Sequence, residues 1–179
     1  LVPAGVHDAF VERMKGFVES FVKVGDPADA STILGPVIRP ERRAKIEEYI
    51  ESGVREGAKL VTGGGRPRHL ARGWFVEPTI FTGVNNSMRI AQEEIFGPVL
   101  SVIPFKDEEE AVAIGNDVVY GLAAGVWTQN MRRSLMMAER LQAGTVWVNT
   151  YRAVSYLSPF GGYKRSGLGR ESGQEMIKD

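Results

Sequence analysis

The sequence predicts an α/β domain in which a parallel sheet is wound right-handedly between flanking helices, and three observations carry that prediction. From Val99 to Asn149 strand-like and helix-like segments alternate with short links, the pattern that brings parallel strands together. Residues 99–105 form a continuous apolar run, as expected of a strand buried on both faces. With 179 residues and 43% apolar content, the chain is long enough to enclose a real core.

Each element has its own signature. Phe10, Met14, Phe17 and Phe21 recur at helical spacing, which predicts an amphipathic helix over residues 8–23 with those four side chains in the core. A second helix is expected from Pro40, whose missing N–H costs nothing at a first helical position. It stacks Ile46, Ile50 and Val54 on one face, and Gly57 fits its C-terminal cap. Residues 59–62 read as a short strand, the three glycines after it as a turn, and residues 74–84 as an extended stretch that Pro78 marks as an edge or an interruption.

Beyond the 99–105 strand, Asp107 with Glu110 three residues on makes a capping-box-like start for a helix through Ala111 and Ile114. A strand over 122–128, a helix over 131–142 with Leu135, Ala138 and Leu141 inward, and a strand over 145–149 complete the pattern, with Gly144 closing the last helix. Ligands in such sheets gather beyond the carboxyl ends of the strands, so the long loop leaving Asn149 is expected to be functional. One domain over 1–179 is expected, with the part up to about Thr82 as a lobe wrapping the sheet. The chain opens on Leu1 and stops at Asp179 in a helix-like stretch, so both ends look cut.

Composition excludes several classes. Lys plus Arg and Asp plus Glu both number 22, so no net field draws nucleic acid or an anionic membrane. No apolar run approaches the roughly 20 residues that span a bilayer, and a cytoplasmic location is the expectation. The chain has no cysteine, which closes thiolate chemistry, disulfides and thiolate metal sites. His7 and His69 lack ligand spacing, so no metal is expected. Gly167, Gly169 and Gly173 are spaced one residue too long for the dinucleotide fingerprint.

Glu93-Glu94-Ile95-Phe96-Gly97-Pro98 is harder to set aside, because two adjacent acids in a short, turn-bounded segment do not both face solvent without a sharp turn. An ionised carboxylate is acceptor-only and suits a ribose diol. A capping or salt-bridge role is the competing reading of these two acids.

The chain strongly resembles the C-terminal part of the NAD(P)-dependent aldehyde dehydrogenases. The resemblance is carried by Glu56-Gly57-Ala58-Lys59-Leu60, Gly73-Trp74-Phe75-Val76-Glu77-Pro78-Thr79, the 93–98 hexapeptide and Asn116. It continues in Tyr120-Gly121-Leu122-Ala123-Ala124, Gly144-Thr145-Val146-Trp147-Val148-Asn149 and Ser158-Pro159-Phe160-Gly161-Gly162-Tyr163-Lys164 with Ser166-Gly167. It implies a three-layer Rossmann-like sheet with flanking helices, the catalytic domain from just beyond its nucleophile. It also implies NAD or NADP, with Glu94 on the nicotinamide ribose and Phe96 near the nicotinamide.

Residues 150–170 would then line the aldehyde tunnel, Val154 and Phe160 among them. Val154 stands small where relatives often carry an aromatic, which implies a wider tunnel. Arg42 falls on a helix that reaches toward the adenosine end of the cofactor in the family. The resemblance also implies oxidation of an aldehyde to a carboxylic acid by a homodimeric or homotetrameric complete enzyme. The family's cysteine and general base have no match here, so the chain alone is expected to be inactive. The rival reading is a naturally truncated, non-catalytic binding or oligomerisation module.

Overall fold

Pro78 lacks a backbone donor, and the chain uses that gap to start a strand immediately after it. The computed structural model describes residues 1–174, which divide into two compact units, Leu1–Lys106 and a second that begins at Asp107.

The first unit opens with β1 (Val2–Pro3) and α1 (His7–Phe21). It continues through α2 (Pro40–Arg55), β2 (Lys59–Thr62), β3 (Thr79–Thr82), the single turn α3 (Arg89–Gln92), β4 (Val99–Ser101) and β5 (Pro104–Phe105). Strand β3 is central: β2 lies antiparallel on one side, β4 parallel on the other. Thr79, Ile80 and Phe81 are buried, and Pro78 sits outside the ladder, so its missing donor breaks no sheet bond. Pro78 therefore marks an interruption and not an edge. Strand β1 pairs in parallel with β5.

Two expectations change here. The apolar run 99–105 is two strands that exchange partners: β4 follows β3, then Val102 N–H donates to Phe81 O and Ile103 O accepts from Val2 N–H. Val102 and Ile103 are buried at this crossover, while Leu100 is exposed, so the run is not one strand covered on both faces. The second correction concerns α1. Val11, Met14 and Val18 pack toward Val2, Ile80 and Val102, whereas Phe10 is exposed and Phe17 and Phe21 are 52% and 65% exposed. Helix α1 carries two apolar stripes that share Met14, and the sheet takes the one with smaller side chains. The rings of Phe17 and Phe21 stack on each other at 5.5 Å.

Helix α2 begins with Pro40 at its first turn and buries Ile46, Tyr49 and Ile50; Val54 instead faces out. Gly57 adopts φ +97°, a region open chiefly to glycine, and the chain reverses there with Ala58 N–H on Gly53 O at 2.9 Å.

The second unit holds α4 (Glu108–Asn116), β6 (Tyr120–Gly121), β7 (Ala123–Val126), α5 (Met131–Arg140), β8 (Thr145–Val148) and β9 (Tyr163–Lys164). Asp107 caps α4 as expected, its carboxylate accepting Glu110 N–H at 2.9 Å. Strands β7 and β8 are parallel, and β6 pairs antiparallel with β9. Helix α5 turns Ser134 and Met137 inward, while Leu135 and Ala138 are exposed and Leu141 is half-buried. Two ion pairs, Arg133 with Glu108 and Arg140 with Glu109, tie α5 to α4.

Gly144 does not close α5, which ends at Arg140. A Cβ on Gly144 would collide with the Gly161 carbonyl oxygen, so a glycine is required because two backbones meet there. The helix-like stretch at the C-terminus lies outside the described residues.

Candidate functional site

The hexapeptide at 93–98 leaves α3 through Glu93 in extended backbone (φ −109°, ψ 149°), and its side chains divide into two sets. One set is anchored. The Glu93 carboxylate accepts Tyr49 Oη–H at 2.8 Å and Arg89 Nε–H at 3.0 Å. Ile95 is buried, and its carbonyl accepts Arg42 Nη2–H at 2.9 Å. Gly97 lies against Ile46, so closely that a Cβ would meet Ile46 Cδ1 at 2.5 Å. Pro98 O then accepts Thr79 N–H, which hands the chain to β4.

The other set projects. Glu94 is exposed and, among the described residues, makes no hydrogen bond or ion pair. Phe96 is 70% exposed with φ +56°, a left-handed conformation that costs a non-glycine residue roughly 1 to 2 kcal/mol. The Arg42 guanidinium lies 5.5 Å from the centre of its ring. Arg42 Nε is buried and, among the described residues, has no partner.

The surroundings of Glu93 act on its ionisation. The Tyr49 phenol and then the Arg89 guanidinium hold the Glu93 carboxyl below the usual carboxylate range. Burial, then the Glu93 carboxylate, pushes the Tyr49 phenol up. Glu48, which Lys45 and Arg89 both contact, is drawn down to about 2. Glu93 therefore has the salt-bridge role that sequence reasoning left open, and Glu94 is an acceptor with no partner among the described residues. An exposed carboxylate two residues before an exposed aromatic ring fits a polar, hydroxylated ligand that also carries a flat apolar group.

Val154 and Phe160 belong to the second unit. Val154 is exposed, and Phe160 is half-buried with its backbone bridged to Glu171. Strand β9 falls within the loop segment 150–170. The loop is braced at its start, where Trp147 Nε1–H donates to Ala153 O at 2.8 Å and the Tyr151 ring meets the Trp147 ring edge-on. At the strand end the Asn149 side chain exchanges two hydrogen bonds with the Thr128 backbone, accepting its N–H and donating to its O.

Sequence reasoning missed Tyr49 and Arg89. The spacing of Arg89 and Glu93, four apart, was a usable signal for a helical ion pair. Nothing in the sequence placed Tyr49 beside them.

Fold and motif together define an α/β protein with an exposed carboxylate and ring set on a short braced segment, and comparison with known proteins gives its family. The family model for the aldehyde dehydrogenase family matches residues 1–179, and the chain belongs to that family. It is 47% identical over 179 residues to an aldehyde dehydrogenase of Emericella nidulans, covering all of this chain and 35% of that protein. It is also 47% identical to a betaine aldehyde dehydrogenase of Bacillus subtilis, covering 37% of it. Among solved structures, Mycobacterium tuberculosis aldehyde dehydrogenase complexed with NAD+ superposes with a TM-score of 0.95 at 47% identity, over 99% of this chain and 36% of that one. The expected Rossmann-like α/β class is shown by this likeness. The chain spans little more than a third of the length of these relatives.

Proposed function

We propose that this chain holds the nicotinamide side of NAD or NADP within a longer aldehyde dehydrogenase, which as a whole oxidises an aldehyde to its carboxylic acid. The observation that carries the reading is the division of labour between the two acids: Glu93 is committed to Tyr49 and Arg89, while Glu94 is exposed and, among the described residues, unpartnered. A nicotinamide cofactor held there would supply the hydride acceptor for the oxidation.

The chain's own residues orient and shape. Glu94 would accept hydrogen bonds from the nicotinamide-ribose hydroxyls, and Phe96 would offer an apolar ring to the nicotinamide. Val154 and Phe160 border the aldehyde tunnel, widened where Val154 is small. No cysteine stands in these 179 residues, so the thiolate that attacks the aldehyde in the family is supplied from elsewhere in the complete enzyme. A homodimeric or homotetrameric enzyme in the cytoplasm completes the reading.

Glu94→Gln in the complete enzyme tests it. Replacing a charged acceptor by a neutral one weakens bonds that contribute about 1.5 to 3 kcal/mol each. Single-turnover formation of reduced cofactor should slow by roughly tenfold. A variant with unchanged rate and cofactor affinity removes the role given to Glu94.

A further inference from the structure

We propose that Arg89 is a positioning residue which, with Tyr49, clamps Glu93 and so aims Glu94. The inference rests on the reading of Glu94 as the ribose acceptor. Helix α3 is a single turn, too short to hold itself in place, so its position is set by what it is tied to.

It is tied to α2 and to Glu56 just beyond its end. Arg89 Nη1–H donates to Glu48 at 2.8 Å, and Arg89 N–H donates to Glu56 Oε2 at 2.7 Å. Tyr49 Oη–H reaches Glu93 Oε2 from the middle of α2. Arg89 Nε–H donates to that same Glu93 oxygen, with its guanidinium 4.3 Å from the centre of the Tyr49 ring. One carboxylate oxygen thus joins α2, α3 and the first residue of the hexapeptide.

The geometry makes the effect local. Glu94 follows Glu93 directly, and Glu93 has extended backbone, so a rotation of the Glu93 backbone swings the Glu94 carboxylate away from its direction. On the far side Ile95, Gly97 and Pro98 are fixed independently through Arg42, Ile46 and Thr79. Arg89 and Tyr49 hold the near side. Lysine cannot replace the arginine fully, since a point charge lacks the planar fork that meets Glu48 and Glu93 while lying on the tyrosine ring.

The test uses the complete enzyme with Arg89→Ala, Arg89→Lys and Glu94→Gln, alone and with Arg89→Ala combined with Glu94→Gln. Arg89→Ala should weaken cofactor binding and slow single turnover by about tenfold to a hundredfold, the scale set by small misplacements of a positioning group. Arg89→Lys should recover part of the loss. In the cofactor-free enzyme, amide hydrogen exchange across residues 93–97 should quicken in Arg89→Ala while the amides of β3 stay protected as before. With Glu94 already changed to Gln, Arg89→Ala should add little, because both act through one group.

An undiminished effect of Arg89→Ala in that background, or unchanged exchange across 93–97, overturns the clamp. Wild-type behaviour of Glu94→Gln alone overturns the ribose reading instead, and the exchange measurement then still decides whether Arg89 holds the segment.

Discussion

Replacing Gly97 by alanine should damage the hexapeptide through one buried neighbour. A Cβ built there meets Ile46 at three atoms, Cδ1 at 2.5 Å, Cγ1 at 2.7 Å and Cγ2 at 3.1 Å. Carbon atoms in ordinary contact sit about 3.5 to 4.0 Å apart, so the nearest overlap is about 1 Å or more. Ile46 is 0% exposed and has no open side to move toward. Overpacking of this kind costs about 1 to 3 kcal/mol, and here the cheapest relief is displacement of the hexapeptide itself.

Ile46→Ala removes all three clashing atoms and by itself costs about 2 to 5 kcal/mol through the cavity it leaves. The added methyl of Gly97→Ala should fill part of that cavity. Combined, the two substitutions should therefore be less destabilising than their sum by about 1 kcal/mol or more. Urea unfolding of the four members of the cycle in the complete enzyme, followed by tryptophan fluorescence, measures this. Effects that add to within about 0.5 kcal/mol would refute the steric account.

Two further outcomes follow from the site. Glu93 is held below the carboxylate range, so its contribution to stability is present above its unfolded value near 4.5 and is lost as pH falls through its folded value. The stability gap between the wild-type enzyme and Glu93→Gln should therefore be open at pH 7 and close as pH falls below about 4.5. Denaturant midpoints measured across that range check it, and a gap that widens on acidification has the wrong sign. The 179-residue chain, verified by intact mass, should not reduce NAD or NADP in the presence of aldehydes, since it contains no thiol. Turnover above a no-protein blank contradicts the proposal.

Local signals in this sequence were dependable where the backbone decides, and much less so where packing decides. Pro40 at a helix start, the reversal at Gly57, the strand at residues 59–62 and the Asp107 cap all stand where their local chemistry puts them. The buried faces of α1 and α5 were misread because both helices offer alternative stripes, and only the sheet opposite chooses between them. The run 99–105 looked uniform because apolar composition does not record a change of strand partner. Within the hexapeptide, the sequence offered two acids without saying which was free. That depends on Tyr49, 44 residues earlier in the chain. Gly97 is similar, since its requirement for glycine is visible only once Ile46 is in place.

The left-handed backbone at Phe96 sets two demands on one position against each other. For folding alone, glycine or asparagine is the better residue there, since either accepts φ +56° more readily than phenylalanine does. For the ligand contact proposed for this ring, neither is a substitute. Selection for a more stable chain and selection for ligand contact therefore pull this residue in opposite directions. A library screened only for thermostability would tend to erase the ring, so a screen at this position has to score binding as well.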